Sequence, residues 1–142
     1  MHVFYAPDIA TSPVLPEEES HHAVRVLRLD VGATIQIVDG KGGVYVATIA
    51  VADSKKCLVN SLQVQNTASQ RDYYLHIAIA PTKNMDRLEW FFEKAAEIGI
   101  DEISPIYCRY SERKNLKTDR LQRILVSAMK QSIQPYLTKR NE

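Results

Sequence analysis

The 142-residue sequence predicts two domains of different fold class, an all-β domain followed by the first part of an α/β domain. Short alternating strands with tight turns fill the first half, and a strand–helix–strand pattern follows. Between them, residues 65–72 are polar and contain no apolar side chain larger than alanine. We therefore place one domain at residues 1–72 and the other at residues 73–142.

The first predicted element is a helix over residues 17–27. Glu17, Glu18 and Glu19 lie in its first turn, where the helix dipole favours negative charge, and Pro16 suits a helix start. An α-helical period places Ala23, Val26 and Leu27 on one face. We expect that face to pack against the strands that follow.

A β-hairpin is predicted next. Residues 34–38 and 44–49 alternate between apolar and polar side chains, and the turn between them is rich in glycine. The run Gly40-Lys41-Gly42-Gly43 precedes a strand and lacks the spacing of a phosphate-binding loop, so we interpret it as a hairpin turn. With a further strand at 57–64, the pattern is typical of a small barrel.

The second domain begins with a strand–helix–strand unit. A strand at 74–80 precedes a helix over 85–98, which Asn84 can cap and Gly99 can end, and a second strand spans 102–107. The apolar side chains of that helix are Leu88, Phe91, Phe92, Ala95, Ala96 and Ile98. These strands should be parallel.

A last helix is predicted from Thr118 to near Pro135. Its inward positions are Leu121, Ile124, Leu125, Ala128 and Met129. Only two parallel strands are then expected, too few to bury both faces of a sheet. We therefore expect the chain to be a fragment of a longer polypeptide.

Charge is distributed unevenly along the chain. Residues 1–108 contain nine Lys and Arg against fourteen Asp and Glu, whereas residues 109–142 contain nine against three. The basic segment can bind a phosphate backbone, although a solvated helix would have the same composition. Its cations include Arg109, Arg113, Lys114, Lys117, Arg120 and Arg123.

Little in the sequence favours a membrane, secreted or metal-binding protein. No stretch has the roughly 20 consecutive apolar residues of a membrane span, and the N-terminus lacks the features of a signal peptide, so we expect a cytoplasmic location. Cys57 and Cys108 lack the paired spacing of a zinc site and are predicted to be buried thiols. We predict no metal site.

Motifs in both halves resemble, in order and spacing, those of one enzyme family. Residues 22–28 read His-Ala-Val-Arg-Val-Leu-Arg, similar to that family's His-x-x-Arg-Val-Leu-Arg pattern, with Gly32 and Asp39-Gly40 following. The matching segments of the second half are Pro81-Thr82-Lys83, Arg87-Leu88-Glu89, residues 94–99, Ile103-Ser104-Pro105 and residues 128–132. The family that the chain resembles is the ribosomal RNA small-subunit methyltransferase E family.

This resemblance implies a PUA-like β-barrel followed by the first part of a SPOUT α/β-knot methyltransferase domain. It implies an enzyme that transfers a methyl group from S-adenosyl-L-methionine to N3 of a uridine in 16S rRNA, acts on the small ribosomal subunit and forms a homodimer when full-length. The family's glycine-rich cofactor loop and its Leu-Arg-x-Glu-Thr segment are absent from these residues. We therefore expect no cofactor-binding residues in this chain, and the catalytic residues stay unknown.

The resemblance assigns RNA-binding roles to Arg25 and Arg28 on the early helix, where ion pairs with nearby carboxylates are the alternative. Lys83 and Arg87 follow a strand's carboxyl end, where α/β proteins usually bind ligands, with solvated charge as the alternative. Arg109, Arg113 and Lys114 complete the predicted RNA-binding set. Glu97 can act as an acid or base, or simply pair with Lys94.

The sequence departs from the family near residue 110. The family usually reads Pro, two residues, then Ser or Thr, Glu, Arg and Ser, whereas here Tyr110 stands at the usual arginine position. Arg109 or Arg113 can supply the charge from a shifted position. The competing functions are a non-catalytic RNA-binding or ribosome-associated module and, less favoured, an unrelated small α/β protein that completes its sheet by dimerising.

Overall fold

The computed structural model describes residues 1–65, 73–81, 84–106, 118–134 and 136–141. Its contacts cluster into two compact units, Met1–Ser69 and Gln70–Glu142.

The first unit is built on a four-stranded sheet. Its elements are β1 (Val3–Tyr5), α1 (Glu17–His21), a π-helical turn (His22–Val26), β2 (Thr34–Val38), β3 (Val44–Val51) and β4 (Leu58–Val64). The strand order is β1-β2-β3-β4; β1 pairs with β2 in parallel and the other pairs are antiparallel. The three-residue β1 was not predicted, because it is too short to show alternation.

The chain that follows β1 returns to the other edge of this sheet. Val14 bridges Leu58 on the side of β4 that does not pair with β3, while β1 forms the opposite edge. The connection between them is folded into turns, in which the Ile9 N–H donates to the Ala6 carbonyl. The segment from β1 to Val14 therefore joins the two edges of the sheet.

The described residues of the first unit have their own apolar core. Its largest fully buried side chains are Phe4, Ile9, Leu15, Ile35, Ile37 and Ile49. The hydroxyl of the buried Ser20 donates to the Leu15 carbonyl (3.0 Å) and accepts from the Cys57 N–H (2.9 Å), which ties α1 to the start of β4. Cys57 is buried, as predicted, and burial raises the pKa of its thiol; Cys108 lies outside the described residues.

The predicted hairpin turn is confirmed. Asp39 Oδ1 accepts hydrogen bonds from the Lys41 and Gly43 N–H groups, both at 2.8 Å. A Cβ at Gly43 would lie 2.5 Å from Asp39 Oδ2 and 2.7 Å from the Tyr45 ring. Because the carboxylate and the ring occupy the space of a side chain, this position requires glycine.

The second unit is a parallel sheet with helical connections. Its elements are β5 (His76–Ile79), α2 (Met85–Ile98), β6 (Glu102–Pro105), α3 (Thr118–Ser132) and β7 (Lys139–Arg140). The strand order is β5-β6-β7 and both pairs are parallel. The expectation of only two parallel strands was wrong, because β7 adds a third; two residues are too few to show a strand pattern.

Helix α2 begins and ends as predicted. Asn84 Oδ1 accepts from the Asp86 N–H (2.9 Å) and the Arg87 N–H (3.4 Å), and Gly99 ends the helix at φ +94°. The core between α2, α3 and the sheet contains Leu88, Phe92, Ala95, Ala96, Ile103, Leu121, Leu125 and Ala128. Ile98, predicted on the apolar face, is instead 72% exposed, because the helical period places it to one side of the buried stripe of α2.

Candidate functional site

The π-helical turn corrects the predicted packing of the early helix. The Leu27 N–H donates to the His22 carbonyl at 2.9 Å, so the chain turns less per residue here than in an α-helix. Ala23 is buried, and Val24 and Leu27 pack on the core, whereas Val26 is 58% exposed. The prediction that Val26 faces the core was therefore wrong, and Val24 takes its place.

Arg28 ends this turn in a left-handed conformation. Its φ is +54°, and the N–H of the next residue, Leu29, donates to the Ala23 carbonyl at 2.9 Å. Helices often end on a residue with left-handed backbone angles, but that residue is usually glycine. For any other residue the left-handed conformation costs roughly 1–2 kcal/mol of conformational free energy. Such strain persists only where the surrounding structure fixes it.

Arg25 and Arg28 are both exposed on this turn. Among the described residues neither side chain makes a hydrogen bond or an ion pair. The alternative in which they pair with the carboxylates of α1 or with Asp30 is therefore not observed. Glu19 instead accepts a hydrogen bond from the Tyr5 N–H at 3.0 Å.

A second turn brings two further cations to this region. Asp53 Oδ1 accepts from the Lys55 N–H (2.8 Å) and the Lys56 N–H (3.2 Å). These hydrogen bonds lower the pKa of Asp53, and the nearby charges of Lys55 and Arg25 lower it further. Arg25 thus lies close to a turn that carries the exposed Lys55 and Lys56. Neither helical periodicity nor a family motif pointed to these two residues.

In the second unit, the predicted ligand edge is only partly described. The Ile106 N–H donates to the Ile79 carbonyl at 2.8 Å, so the carboxyl ends of β5 and β6 meet. Arg87 lies in the first turn of α2 beside this edge and is exposed, with no side-chain hydrogen bond or ion pair to the described residues. The other predicted contacts, Lys83, Arg109, Arg113 and Lys114, lie outside the described residues.

Two other charged candidates have structural partners. Glu97 pairs with Lys94 at 3.3 Å, which is the i,i+3 alternative named for it. Arg120 makes a two-pronged ion pair with Glu89, with Nε on one carboxylate oxygen and an amino group 3.1 Å from the other. This pair links α3 to α2 and raises the pKa of Arg120. Arg120 is thereby held in the fold and is less available to a ligand.

A polar cluster that the sequence did not predict spans the parallel sheet. Glu102 accepts from the Tyr74 hydroxyl (2.7 Å) and from the Asn141 amide, and Asn141 also donates to the Ser104 hydroxyl (2.7 Å). His76 lies 2.6 Å from that hydroxyl. The hydrogen bonds lower the pKa of Glu102 and raise that of Tyr74. The cluster connects all three strands.

The described residues offer no metal or membrane feature. Within them, no three His, Cys, Asp or Glu side chains are placed to hold a metal ion. None of the helices in the described ranges is both long and apolar enough to cross a bilayer. After Gly43 the sequence contains a single glycine, Gly99, which ends α2. The sequence of the second unit therefore contains no glycine-rich segment.

Comparison with known proteins identifies related domains in both units. A family model described as an RNA methyltransferase PUA domain matches residues 15–60, and one described as an RNA methyltransferase domain matches residues 69–142. The first range contains Arg25 and Arg28, and the second contains the sheet edge beside Arg87.

Solved structures with the same fold are also found. A probable rRNA methyltransferase from Porphyromonas gingivalis is 41% identical over 99% of this chain and 59% of its own, with a TM-score of 0.83. The ribosomal RNA small-subunit methyltransferase E from Neisseria gonorrhoeae, solved bound to S-adenosyl methionine, is 24% identical over 100% of this chain and 60% of its own, with a TM-score of 0.85. The chain thus spans about three fifths of the length of these proteins.

Proposed function

Because the chain belongs to the RNA methyltransferase family, whose model matches just over half of it, we propose that it is the RNA-binding part of an enzyme that methylates ribosomal RNA. In this proposal a longer protein transfers a methyl group from S-adenosyl-L-methionine to N3 of a uridine in 16S rRNA. It acts in the cytoplasm during ribosome biogenesis, as a homodimer.

The observation that carries the RNA-binding role is the pair of exposed arginines at the end of the π-helical turn. Arg25 and Arg28 make no hydrogen-bonded ion pair with the described residues, although three glutamates lie in the same helical segment; the one carboxylate whose pKa is affected is Asp53, near Arg25. A guanidinium group suits phosphate because it donates several hydrogen bonds in one plane. Both arginines also lie inside the range that matches an RNA methyltransferase PUA domain.

A second contact is proposed at the edge where β5 and β6 end. Ligands of α/β proteins bind at the carboxyl ends of parallel strands. Arg87 lies there without an ion pair to any described residue, and a cation in the first turn of a helix does not serve to stabilise that helix. We assign Lys83 to the same contact, since it directly precedes Asn84 and this turn.

The basic segment after β6 is proposed to extend this surface. Arg109, Arg113 and Lys114 are its candidates. The triplet Ser111-Glu112-Arg113 has the Ser-Glu-Arg order that the family places three residues earlier, which favours Arg113 over Arg109 as the equivalent arginine.

The residues of this chain do not fit S-adenosyl-L-methionine, because no glycine-rich loop follows a strand of the second unit. When bound to the longer protein, the cofactor supplies the methyl group. The contribution of this chain is to bind and orient the RNA, and orientation can account for a large part of an enzyme's rate enhancement.

Binding of transcribed 16S rRNA to the 142-residue chain, measured at several salt concentrations, tests the RNA-binding role. We expect affinity to fall with salt, and each of Arg25→Ala and Arg28→Ala to reduce the slope of log affinity against log salt by about 0.7–0.9. Lys41→Ala is the matched control, because Lys41 already pairs with Asp8 (3.9 Å) and the Pro7 carbonyl (3.0 Å). Equal effects of all three variants would contradict the assignment.

The methylation step is tested on the longer protein. Incubation with unmethylated 16S rRNA and S-adenosyl-L-methionine should produce N3-methyluridine, detected by mass spectrometry of the nucleosides. A product on another base would overturn the proposed specificity. RNA binding without any methyl transfer would instead support the non-catalytic module.

A further inference from the structure

An apolar side chain lies between the two unpaired arginines of the first unit. Val26 is 58% exposed, and its neighbours Arg25 and Arg28 are exposed as well. Scattered surface valines are ordinary, and Val64 and Val31 of this unit are also exposed. Val26 differs from them because an α-helical continuation of α1 would have buried it.

The π-helical turn produces this exposure. The Leu27 N–H bonds to the carbonyl five residues earlier, at His22, so this turn contains one more residue than an α-helical turn. Val24 therefore packs on the core in place of Val26. The left-handed backbone at Arg28 then ends the helix. Arg25, Val26 and Arg28 are exposed, whereas Leu27, which lies between them in sequence, packs on the core. π-Helical turns within helices occur frequently at functional sites.

We propose that Val26 contacts the base or ribose of an unpaired nucleotide whose neighbouring phosphates are bound by Arg25 and Arg28. The proposal rests on the proposed RNA-binding function and adds to it the kind of RNA recognised. Two unpaired cations flanking an apolar side chain are complementary to a nucleotide, which presents anionic phosphates beside an apolar base face. In duplex RNA the base faces are stacked, so this contact requires a single-stranded or looped segment.

The contact made by Val26 should affect the salt dependence of RNA binding differently from the contacts made by the arginines. Removing a phosphate contact lowers the salt dependence of binding, whereas removing an apolar contact lowers affinity by the same factor at every salt concentration. Val26→Ala should therefore weaken binding to a short single-stranded RNA by about three- to fivefold, the loss expected for part of a valine side chain, with the salt slope unchanged. Binding to the matching duplex should not change.

Two further valine variants of the 142-residue chain are the controls. Val64→Ala removes an equally apolar and even more exposed side chain (75%) far along the sequence, and should leave RNA binding unchanged. Val24→Ala removes the valine that packs on the core, and should lower the thermal midpoint of unfolding, which Val26→Ala should not. Comparison of Val24→Ala with Val26→Ala tests the π-helical register independently of RNA.

The outcomes separate this inference from the function on which it rests. If Arg25→Ala and Arg28→Ala weaken binding while Val26→Ala does not, or if Val26→Ala weakens single-stranded and duplex RNA alike, the nucleotide contact is wrong and the RNA-binding role stands. If the arginine variants have no effect on RNA binding, both fail. If the same arginine and valine variants lose binding to polyglutamate by the same factors as binding to RNA, the surface would be assigned to an acidic protein segment instead.

Discussion

Arg28 combines a strained backbone with a free guanidinium group, and the two can be separated by substitution. Arg28→Gly removes the charge and also the cost of a side chain at φ +54°, so we expect the free energy of unfolding to stay the same or rise by about 1 kcal/mol or less. RNA affinity and its salt slope should fall as in Arg28→Ala, which keeps the strain. Denaturant unfolding and RNA binding of both variants provide the measurements.

A less stable Arg28→Gly variant would show that the arginine side chain stabilises the fold. In that case its exposure would not indicate a binding role. A variant that is more stable but binds RNA more weakly would show that the residue is retained at the expense of stability, which is common at binding sites.

At the level of single residues, the sequence predicts which residues are candidates for a site better than it predicts whether their side chains face the core or the solvent. The motif places arginines at 25 and 28, and both are exposed. Helical periodicity assigned Val26 to the core, because periodicity assumes a uniform turn per residue and a π-helical turn breaks that assumption. The partner of Arg120 was also not predictable, since Glu89 is 31 residues away in sequence.

The elements that the sequence predicts best are those with local signals at both ends. Helix α2 has a capping asparagine and a terminal glycine, and the β2–β3 hairpin has a glycine-rich turn fixed by Asp39. Strands β1 and β7, with three and two residues, have no such signals. They form because neighbouring strands offer unpaired backbone groups, which is information from tertiary structure and not from their own sequence.

The parallel sheet should be sensitive to acid through Glu102. Hydrogen bonds from Asn141 and Tyr74 to its carboxylate lower its pKa below the ordinary value of 4.5. A carboxyl whose pKa is lowered by folding stabilises the protein above its unfolded pKa, and that contribution is lost as pH falls through the folded pKa. We therefore expect Glu102→Gln to lower the thermal midpoint at neutral pH, and the difference from the unsubstituted chain to vanish well below pH 4.5.

Thermal unfolding of the two proteins across this pH range provides the measurement, because the other carboxylates titrate equally in both. Asn141→Ala should reduce the effect of Glu102→Gln, since it removes one of the donors. A difference that persists at low pH would mean that the glutamine disturbs packing rather than charge.

The basic helix α3 contains two exposed arginines with different surroundings. Arg120 is paired with Glu89 of α2, whereas the side chain of Arg123 makes no ion pair within the described residues. We expect Arg120→Ala to lower the thermal midpoint and leave RNA affinity unchanged, because its charge is already neutralised. Arg123→Ala should leave the midpoint unchanged and lower RNA affinity if α3 faces RNA. The opposite assignment of effects would show that the ion pair has no structural role.

At the level of the whole chain, the matching family models confirm an RNA methyltransferase with a PUA domain, and the matching structures confirm the fold that the motifs led us to expect. Ordered short motifs spread over both halves constrained the family more than any single motif did. Composition and periodicity alone predicted a barrel and a strand–helix–strand unit, which many unrelated families share. Function therefore depended on the resemblance, and the structure added which of the candidate cations have partners.

Cofactor binding offers a test at this scale, because it depends on residues contributed by the whole methyltransferase domain. The described residues supply a three-stranded parallel sheet, and the 142-residue sequence contains no glycine-rich segment after Gly43, so we expect no heat of S-adenosyl-L-methionine binding in calorimetry and no change in thermal midpoint. For the longer protein we expect stabilisation by about 2.7 kcal/mol at a cofactor concentration of 100 times Kd. Micromolar binding by the 142-residue chain would show that its own strand ends form a cofactor site, and would move the catalytic centre into the residues described here.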